Sequence, residues 1–354
     1  MHILFTRFPF TSAHGGAENQ TTSLMQGLMN RGHDVSFLGS CPVLLARCKQ
    51  LGIGNRELEI GNPPVTKWDA ISFYWRKRKM QRLLINALDS LQPTPDALLL
   101  LSLTEKILLT PIALSKGIKV IWIEHDTVGL WLTKNPSLPK LQKMSANVTT
   151  VCVSELSADI FRNLGYQNVI GIPNGVPLPP ESFTKHEFDE TLRLGCIARL
   201  SKDKGVDVLT EALRNIEDAT LLINGKGDMH IPSSPTVTLK ANVSDVNDIY
   251  KEIDVLVLPS RKEDPFGLVV VEAMLRGIPT ICTDACGIAG YLEDGSDGLI
   301  VPADSSGALS QAIKQMEDSE TRERIGAQGK KTATEQFTLE RMVENYENVL
   351  SPVT

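Results

Sequence analysis

The chain has 354 residues, of which 42% are hydrophobic and 22% charged, and it carries a formal net charge of −6. This length is typical of two domains with large cores, and the composition is that of an ordinary α/β protein. The acidic balance argues against a nucleic-acid binder with a wholly basic surface, so we expect no nucleic-acid partner.

The cysteines and the N-terminus indicate a cytoplasmic protein. Six cysteines are scattered without a Cys-x-x-Cys pair. Cys282 and Cys286 alone would form only half a metal site, so buried thiols in a reducing compartment are expected. The first seven residues enter a strand directly, without a basic start, a long apolar core or a cleavage site. The longest strongly apolar run, Ala97–Leu103, is too short to span a bilayer.

The first elements form a βαβ unit with a glycine pair at its first turn. Strands are predicted at Ile3–Phe5 and Asp34–Leu38, with a helix between them that ends near Asn30. Gly15 and Gly16 allow backbone amides to approach a phosphate without a Cβ in the way. A plain tight turn explains the same pair equally well. The pattern is not Gly-x-Gly-x-x-Gly, which weakens a dinucleotide interpretation.

Residues 68–88 form a predicted helix in which basic residues crowd around aromatic and apolar ones. The residues concerned are Lys67, Arg76, Lys77, Arg78, Lys79 and Arg82 around Phe73, Tyr74 and Trp75. Such a helix can lie on an anionic membrane surface. A helix with a solvated basic outer face is the alternative, and both interpretations stay open.

Further buried strands are predicted at Ala97–Leu103, Val120–Ile123 and Thr149–Val153. The second is followed by Glu124, His125 and Asp126. A histidine at the carboxyl end of a strand can donate a hydrogen bond to a sugar or phosphate oxygen, although a lone histidine is more often structural.

Four prolines and a glycine in residues 172–180 predict a stiff linker. We therefore predict an N-terminal domain over residues 1–172, a linker over 173–190 and a C-terminal domain over 191–335.

A second βαβ series follows the linker. Its first strand, Leu192–Ala198, leads directly into Arg199 and Lys204, which could both reach a pyrophosphate at that turn. The next strand, Leu221–Asn224, is followed by a glycine-containing turn that could face a nucleotide. That turn consists of Gly225, Lys226 and Gly227.

The most informative stretch is a strand, a polar loop and a helix over residues 253–276. Asp264 lies in the loop and Glu272 in the helix, eight positions on. A helical spacing would separate them by about 12 Å, which is too far to share one proton. Backbone amides near Gly267 and Leu268 would favour an anion between the two acids. This layout fits a sugar hydroxyl, a phosphate and a ribose hydroxyl, whereas a surface loop before an ordinary helix is the alternative.

The run from Asp264 to Glu272 resembles the Glu-x7-Glu element of the retaining family 4 glycosyltransferases, which have the GT-B fold. In that family the first acid contacts the donor sugar and the second contacts the ribose. Here Asp264 stands at the first position and Glu263 just before it, so either acid could take the first role. Residues 15–18, 172–176, 199–205 and 225–227 also resemble family motifs, in the same order along nearly the whole chain.

The resemblance implies an α/β fold of the GT-B type, with two Rossmann-like doubly wound domains facing across a cleft. Residues 336–354 would form a helix that crosses back to the N-terminal domain. The implied activity is that of a hexosyltransferase, which moves a sugar from a nucleotide-diphospho-sugar to an acceptor hydroxyl with retention of anomeric configuration. The acceptor would be a sugar, a glycan or a lipid-linked molecule. No metal or other cofactor is implied, and a UDP-sugar is favoured over a GDP-sugar as the donor.

The resemblance also implies the site residues. The expected catalytic residues are His125, Arg199, Lys204 and Asp264. The expected substrate-binding residues are Gly15, Gly16, Glu18, Gly225, Lys226, Gly227, Val243, Glu263, Phe266, Gly267, Leu268, Val269 and Glu272.

Two rival functions stay open. One is a sugar-nucleotide epimerase or hydrolase on the same fold, and the other is a sugar-nucleotide-binding protein without catalytic activity. Asp264 and Ala241 depart from the family pattern, and both favour the binding protein. We expect a cytoplasmic location, with peripheral contact at the inner face of the membrane if residues 68–88 dock there.

Overall fold

The structure, a computed structural model, describes residues 1–9, 15–126, 128–183, 191–232, 234–241, 243, 245–262 and 264–351. It divides into two compact units at Gly175 and Val176, and the residues from Met342 onward belong to the first unit. Among the described helices, none is long and apolar enough to cross a membrane.

The first unit is an α/β layer structure around a seven-stranded parallel sheet. Its strands are β1 (His2–Arg7), β2 (Asp34–Gly39), β3 (Gly54–Glu57), β4 (Ala97–Leu100), β5 (Lys119–Glu124), β6 (Thr149–Cys152) and β7 (Val169–Gly171). Its helices are α1 (Gly16–Asn30), α2 (Pro42–Leu51), α3 (Lys67–Asp89), α4 (Leu103–Leu108), α5 (Thr110–Ser115), α6 (Leu130–Thr133), α7 (Leu138–Ser145) and α8 (Glu155–Asn163). The strand order is β3-β2-β1-β4-β5-β6-β7.

The second unit repeats this design with six parallel strands. They are β8 (Leu192–Ile197), β9 (Ala219–Asn224), β10 (Val237–Lys240), β11 (Val255–Leu258), β12 (Thr280–Thr283) and β13 (Leu299–Val301), in the order β10-β9-β8-β11-β12-β13. Its helices are α9 (Val206–Ala212), α10 (Asn247–Lys251), α11 (Leu268–Leu275), α12 (Ser306–Gln315) and α13 (Ser319–Gln336). Helix α14 (Leu339–Leu350) begins in this unit, and its residues from Met342 onward belong to the first unit. Short 3₁₀ turns lie at Lys202–Lys204, Leu213–Asn215 and Gly287–Tyr291.

Continuous apolar strands explain the parallel sheets. All four residues of β4 and all four of β11 are buried. A strand that is apolar on both faces must be covered by helices on both sides, as in doubly wound folds. The predicted fold class, two Rossmann-like doubly wound sheets, is therefore confirmed.

One element prediction was wrong. The strand predicted at Ala97–Leu103 ends at Leu100, because Ser102 caps helix α4 and its backbone N–H donates to Glu105 Oε1 at 2.7 Å. Helix α2 and strand β3 lie in a stretch for which no element was predicted. Strand β3 is mostly exposed and polar, so it lacks the apolar pattern on which the prediction depended.

Candidate functional site

The sheet of the second unit reverses its strand order between β8 and β11. In such sheets, ligands bind outside the carboxyl ends of the two strands at the reversal. The loop after β8 carries Arg199 and Lys204, and the loop after β11 carries Asp264. The fold thus brings three predicted site residues to one edge of one sheet.

Lys204 and Asp264 form an ion pair at this edge. The distance from Lys204 Nζ to Asp264 Oδ2 is 2.6 Å, and the two side chains are 16% and 12% exposed. Ser260 Oγ also donates to Asp264 Oδ2, at 3.4 Å. The side chain expected at the phosphates, Lys204, and the carboxylate expected at the sugar, Asp264, are therefore ion-pair partners.

The backbone of Asp264 is fixed as firmly as its side chain. Its N–H donates to the carbonyl of Ala285 at 2.9 Å, and its carbonyl accepts from the N–H of Gly287 at 2.9 Å. These two bonds tie the loop after β11 to the loop after β12. The position of Asp264 is thus set by hydrogen bonds between two loops at the edge of the sheet. Glu263 lies outside the described residues.

Arg199 occupies a different environment from Lys204. Its side chain is 76% exposed, and Asp203 Oδ2 lies 4.0 Å from its Nη2. An exposed pair at this distance contributes little to stability. The guanidinium of Arg199 therefore stays available to a ligand at low energetic cost.

Arg261 holds the turn that carries Lys204. Its Nη1 donates to both carboxylate oxygens of Asp207, at 2.7 and 2.8 Å, and to the carbonyl of Lys202 at 3.2 Å. The turn is also compact: a Cβ on Gly205 would lie 1.9 Å from the carbonyl oxygen of Pro259. Only glycine permits this close approach of two loops.

The turn after β9 packs against the loop after β8. The backbone N–H of Leu200 donates to the carbonyl of Lys226 at 2.9 Å, while the Lys226 side chain is exposed. A Cβ on Gly225 would lie 1.8 Å from the carbonyl oxygen of Ala198, and one on Gly227 would lie 2.2 Å from that of Leu200. The two glycines are therefore needed for loop packing, whatever ligand they face.

Replacing Gly225 by alanine is expected to lower the free energy of unfolding by at least about 2 kcal/mol, because a backbone atom must move. Gly307→Ala is the matched control, since nothing lies within 4 Å of the Cβ it would add. Chemical denaturation of both variants checks this. Equal stability of the two variants would contradict the packing described here.

Helix α11 begins at the loop that carries Asp264. Gly267 precedes it with a φ of +98°, and Leu268 and Val269 form the first turn, half-buried, with amides that have no acceptor within the helix. Phe266, expected to bind substrate, is 2% exposed and packs against Tyr291 and Phe337. We correct its role accordingly: Phe266 anchors the loop in the core, because its side chain is buried in an aromatic cluster.

Glu272 lies on the second turn of α11 and is half-buried. Its Oε2 accepts a hydrogen bond of 2.6 Å from the hydroxyl of Tyr250, which is 0% exposed. Burial raises the pKa of Glu272, whereas the Tyr250 hydrogen bond and the charge of Arg276 oppose that rise. Val243, expected to bind substrate, is half-buried, and its neighbours 242 and 244 lie outside the described residues.

The first unit has a cavity of about 320 Å³ at the carboxyl edge of its sheet. The sheet reverses its order between β1 and β4, and the cavity lies where those strands and β5 end. Its polar lining residues include Arg7, Ser102, Lys106, Glu124, His125 and Asp126, and its apolar lining residues include Phe8, Val65, Leu101, Leu103, Leu132 and Tyr166. Such a mixed lining is typical of sites for polar organic ligands.

Glu18, expected to contact substrate, pairs with Arg7 of the cavity wall. The distance from Arg7 Nη2 to Glu18 Oε1 is 2.9 Å, and the two side chains are 13% and 5% exposed. Gly15 and Gly16 begin α1 nearby in the chain, and residues 10–14 before them lie outside the described residues. Glu18 thus fixes Arg7 at the cavity.

His125 follows β5 and contacts helix α1. Its Nε2 lies 3.2 Å from Thr21 Oγ1, and that hydroxyl donates its hydrogen to the carbonyl of Ala17 at 2.8 Å. The imidazole therefore donates through Nε2, which leaves Nδ1 as a hydrogen-bond acceptor. Burial lowers the pKa of His125 to about 3, with Arg7 and Lys106 adding to the effect, so the ring is neutral at pH 7. The sequence had led us to expect a hydrogen-bond donor to a ligand, but the second ring nitrogen, Nδ1, is an acceptor.

Lys106 and Glu124 form a second buried ion pair in the cavity wall. The distance from Lys106 Nζ to Glu124 Oε1 is 2.8 Å, and Nζ also donates to the carbonyl of Ile123 at 2.9 Å. Neither Lys106 nor Tyr250 was predicted as a site residue. The Ser102-x-x-Glu105 capping pattern indicates that a helix starts directly after β4, at the carboxyl edge of the sheet, and Lys106 lies in the first turns of that helix. No such signal exists for Tyr250, which meets Glu272 only through the tertiary fold.

The described residues contain no group of three or more His, Cys, Asp or Glu side chains that could hold a metal ion.

Comparison with known proteins identifies the family. Residues 14–178 match the model of glycosyltransferase family 4, and residues 180–332 match that of glycosyl transferases group 1. CapM of Staphylococcus aureus, a capsular polysaccharide biosynthesis glycosyltransferase, is 26% identical over 54% of this chain and 57% of its own length. N-acetyl-alpha-D-glucosaminyl L-malate synthase of Bacillus anthracis is 30% identical over 43% of each chain. The aligned part thus spans about half the length of these relatives.

Solved structures share the fold over the full chain. HepE of Anabaena in complex with UDP has a TM-score of 0.79 at 17% identity, and the match covers 100% of both chains. Sucrose-phosphate synthase from Thermosynechococcus elongatus has a TM-score of 0.76 at 16% identity, covering 98% of both. Since the two family models together span most of the sequence, the chain belongs to the glycosyltransferases of group 1 and family 4.

Proposed function

We propose that this protein transfers a hexose from a nucleotide-diphospho-sugar to an acceptor hydroxyl with retention of anomeric configuration. The observation that carries the proposal is the Lys204–Asp264 ion pair at the strand-order reversal of the second unit, with Glu272 eight residues on. A half-buried cation and two separately held carboxylates match the three parts of such a donor: diphosphate, sugar and ribose.

In this proposal the diphosphate takes Lys204 away from Asp264. The ammonium then neutralises the charge that develops on the leaving diphosphate, together with the exposed guanidinium of Arg199 and the first-turn amides of α11. Asp264, released from its partner, accepts a hydrogen bond from a sugar hydroxyl. The bond from the anomeric carbon to the diphosphate breaks as the acceptor oxygen bonds to that carbon, and the diphosphate takes the acceptor proton.

We propose uracil as the base of the donor, with no further cofactor. A solved structure of HepE, one of the proteins that share this fold, is a complex with UDP-glucose, and its match covers 100% of both chains at a TM-score of 0.77. At 17% identity this likeness supports the fold alone, so the identities of the base and the sugar are part of the proposal.

We propose the cavity of the first unit as the place of the acceptor, a sugar, glycan or lipid-linked molecule. Sugars present hydroxyls on their rims and apolar patches on their faces, and the cavity is lined by both carboxylates and leucines. The neutral His125 would accept a hydrogen bond from an acceptor hydroxyl at Nδ1.

A thermal-shift panel of nucleoside diphosphates and nucleotide-sugars tests the proposal. A ligand that binds only the folded state at a hundred times its Kd stabilises that state by about 2.7 kcal/mol, so one donor should raise the Tm clearly. We expect UDP and a UDP-hexose to do so. A panel in which no nucleotide raises the Tm would contradict the proposed function.

Helix α3 carries the surface that we propose for membrane contact. Trp68, Ile71, Tyr74 and Trp75 are 78%, 46%, 68% and 73% exposed, and we call these four residues the aromatic face. The exposed basic residues Arg78, Lys79 and Arg82 lie on the same side of α3, at spacings of three and four residues.

The opposite side of α3 is buried through Phe73, Met80 and Leu84, so the core does not need the aromatic face. Arg76 is held by Ser72 and Asp69, and Lys77 lies over the Tyr74 ring. The aromatic face would insert between lipid headgroups, while the three basic side chains attract anionic lipid. We therefore propose peripheral binding at the inner face of the cytoplasmic membrane.

Replacing Arg78, Lys79 and Arg82 by glutamate is expected to weaken binding to phosphatidylserine-containing vesicles at least about a hundredfold. The reason is that each basic side chain near an anionic surface contributes roughly 1 kcal/mol of binding free energy. Vesicle sedimentation at low and high salt measures this. The control reverses the exposed Lys314, Lys330 and Lys331 of the second unit, and it should bind as the wild type does. If the wild type does not sediment with anionic vesicles at low salt, α3 is a solvated helix.

A further inference from the structure

We infer that Tyr250 is a positioning residue for the nucleotide: it holds one oxygen of Glu272 so that the other oxygen meets the ribose hydroxyls. The inference rests on the proposed function and deepens it, because it assigns the discrimination between ribose and deoxyribose to a residue outside the predicted site.

The contact between the two side chains is short and protected. The Tyr250 hydroxyl lies 2.6 Å from Glu272 Oε2, and Tyr250 is 0% exposed. A hydrogen bond from a neutral donor to a carboxylate is stronger than one between neutral groups. Among the described residues, Oε1 of Glu272 has no hydrogen-bond partner, so it is the oxygen available to a ligand.

Tyr250 acts as a donor across the whole useful pH range. Burial and the neighbouring Glu272 raise its pKa well above the ordinary value, so the hydroxyl keeps its proton. The carbonyl of Val269 also lies 3.3 Å from this hydroxyl, but the single hydrogen goes to the closer, charged oxygen. Oε2 is thus occupied before any nucleotide arrives.

Arg276 fixes the tyrosine ring without taking the carboxylate. Its guanidinium lies 4.6 Å from the centre of the Tyr250 ring. Its donors go to the side-chain oxygen of Asn247 and, at 2.6 Å, to the backbone carbonyl of Glu272. The ring therefore keeps its place when only the hydroxyl is removed, which makes phenylalanine a clean substitution.

Ribose recognition follows from this arrangement. A carboxylate with one oxygen anchored presents the second in one direction, and a ribose hydroxyl that donates to it gains a charge-assisted bond. A deoxy analogue leaves that half-buried oxygen unpaired, which is unfavourable. Without the tyrosine hydroxyl the carboxylate can turn, and either oxygen competes for the same position.

Calorimetry with UDP, 2′-deoxy-UDP and 3′-deoxy-UDP tests the inference. The wild type should bind UDP at least about tenfold more tightly than one of the deoxy analogues. Tyr250→Phe should lower this preference to less than about threefold, because the affinity for UDP falls while the affinity for the deoxy analogue stays nearly unchanged. Tyr346→Phe removes the hydroxyl of a buried tyrosine in the first unit and should leave the preference intact.

A double variant separates positioning from packing. Tyr250→Phe combined with Glu272→Gln should discriminate no less than Glu272→Gln alone, because both changes act on one contact. An unchanged preference in Tyr250→Phe with equal weakening of all three ligands would overturn the inference, as would a wild type that binds UDP without discrimination. If Tyr250→Phe does not fold, a preference retained by Glu272→Gln overturns it. A wild type that binds no nucleoside diphosphate would overturn the proposed function as well.

Discussion

Replacing Lys204 by methionine is expected to lower kcat about a hundredfold, because the charge stabilises the departing diphosphate more than the bound donor. The loss of one charged contact in a water-poor site corresponds to about 3 kcal/mol of transition-state stabilisation. Methionine keeps the unbranched chain and removes only the charge. Steady-state kinetics with the donor found in the thermal-shift panel measures the effect.

Lys202→Met is the matched control, since Lys202 lies in the same turn with an exposed side chain and no assigned role. It should retain near wild-type kcat. Arg199→Ala in the same assay should also lose turnover, because its exposed guanidinium is the second cation of the loop. Near wild-type kcat in both Lys204→Met and Arg199→Ala would contradict the assignment of the phosphate site.

Neutralising Asp264 and neutralising Glu272 are expected to affect transfer and nucleotide binding differently. Asp264→Asn should abolish most transfer yet bind free nucleoside diphosphate at least as well as the wild type, because Lys204 loses its competing partner. Glu272→Gln should weaken the donor and the free nucleoside diphosphate alike, because both carry the ribose. A charge-assisted hydrogen bond is worth about 1.5–3 kcal/mol, or roughly ten- to a hundredfold in affinity.

Calorimetry of nucleoside diphosphate binding and a transfer assay on both variants separate these outcomes. Glu263→Gln belongs in the same set, since either acid could take the sugar. If Asp264→Asn and Glu263→Gln both transfer sugar normally, the loop after β11 does not bind the donor sugar.

Local pattern in the sequence was enough to predict the framework of the site. The apolar strand before Asp264 and the helix after Gly267 are continuous in the chain, and their type follows from apolar runs and glycine signals. The structure places that helix at Leu268–Leu275, close to the predicted 268–276. Parallel strands then bring the loops after β8 and β11 to one edge, as the strand-order reversal requires.

The partners of the site residues could not be predicted in the same way. Lys204 and Asp264 are 60 positions apart, and Tyr250 and Glu272 are 22 apart. Sequence spacing limits contacts only within one helix or between paired strands. Which cation meets which acid depends on tertiary packing, here on the close approach of Gly205 to Pro259.

Phe266 and His125 show the limit for side-chain direction. Both lie at strand ends where ligands bind, but Phe266 turns into the core beside Phe337, and His125 commits its donor nitrogen to Thr21. A motif places the backbone, whereas packing decides whether a side chain faces the ligand. The aromatic face of α3 was the converse case, because its apolar side chains would ordinarily be expected in a core and are exposed.

Following the anomeric proton of the donor sugar by NMR tests the central claim, sugar transfer from a nucleotide-diphospho-sugar, most directly. In the presence of enzyme and a panel of sugar and lipid-linked acceptors, we expect the phosphorus-coupled anomeric signal to disappear. A new glycosidic signal of the same anomeric configuration should replace it, and Lys204→Met should slow the change about a hundredfold. A donor that binds but stays unchanged, or one that is converted to an epimer while still joined to its diphosphate, would contradict the claim.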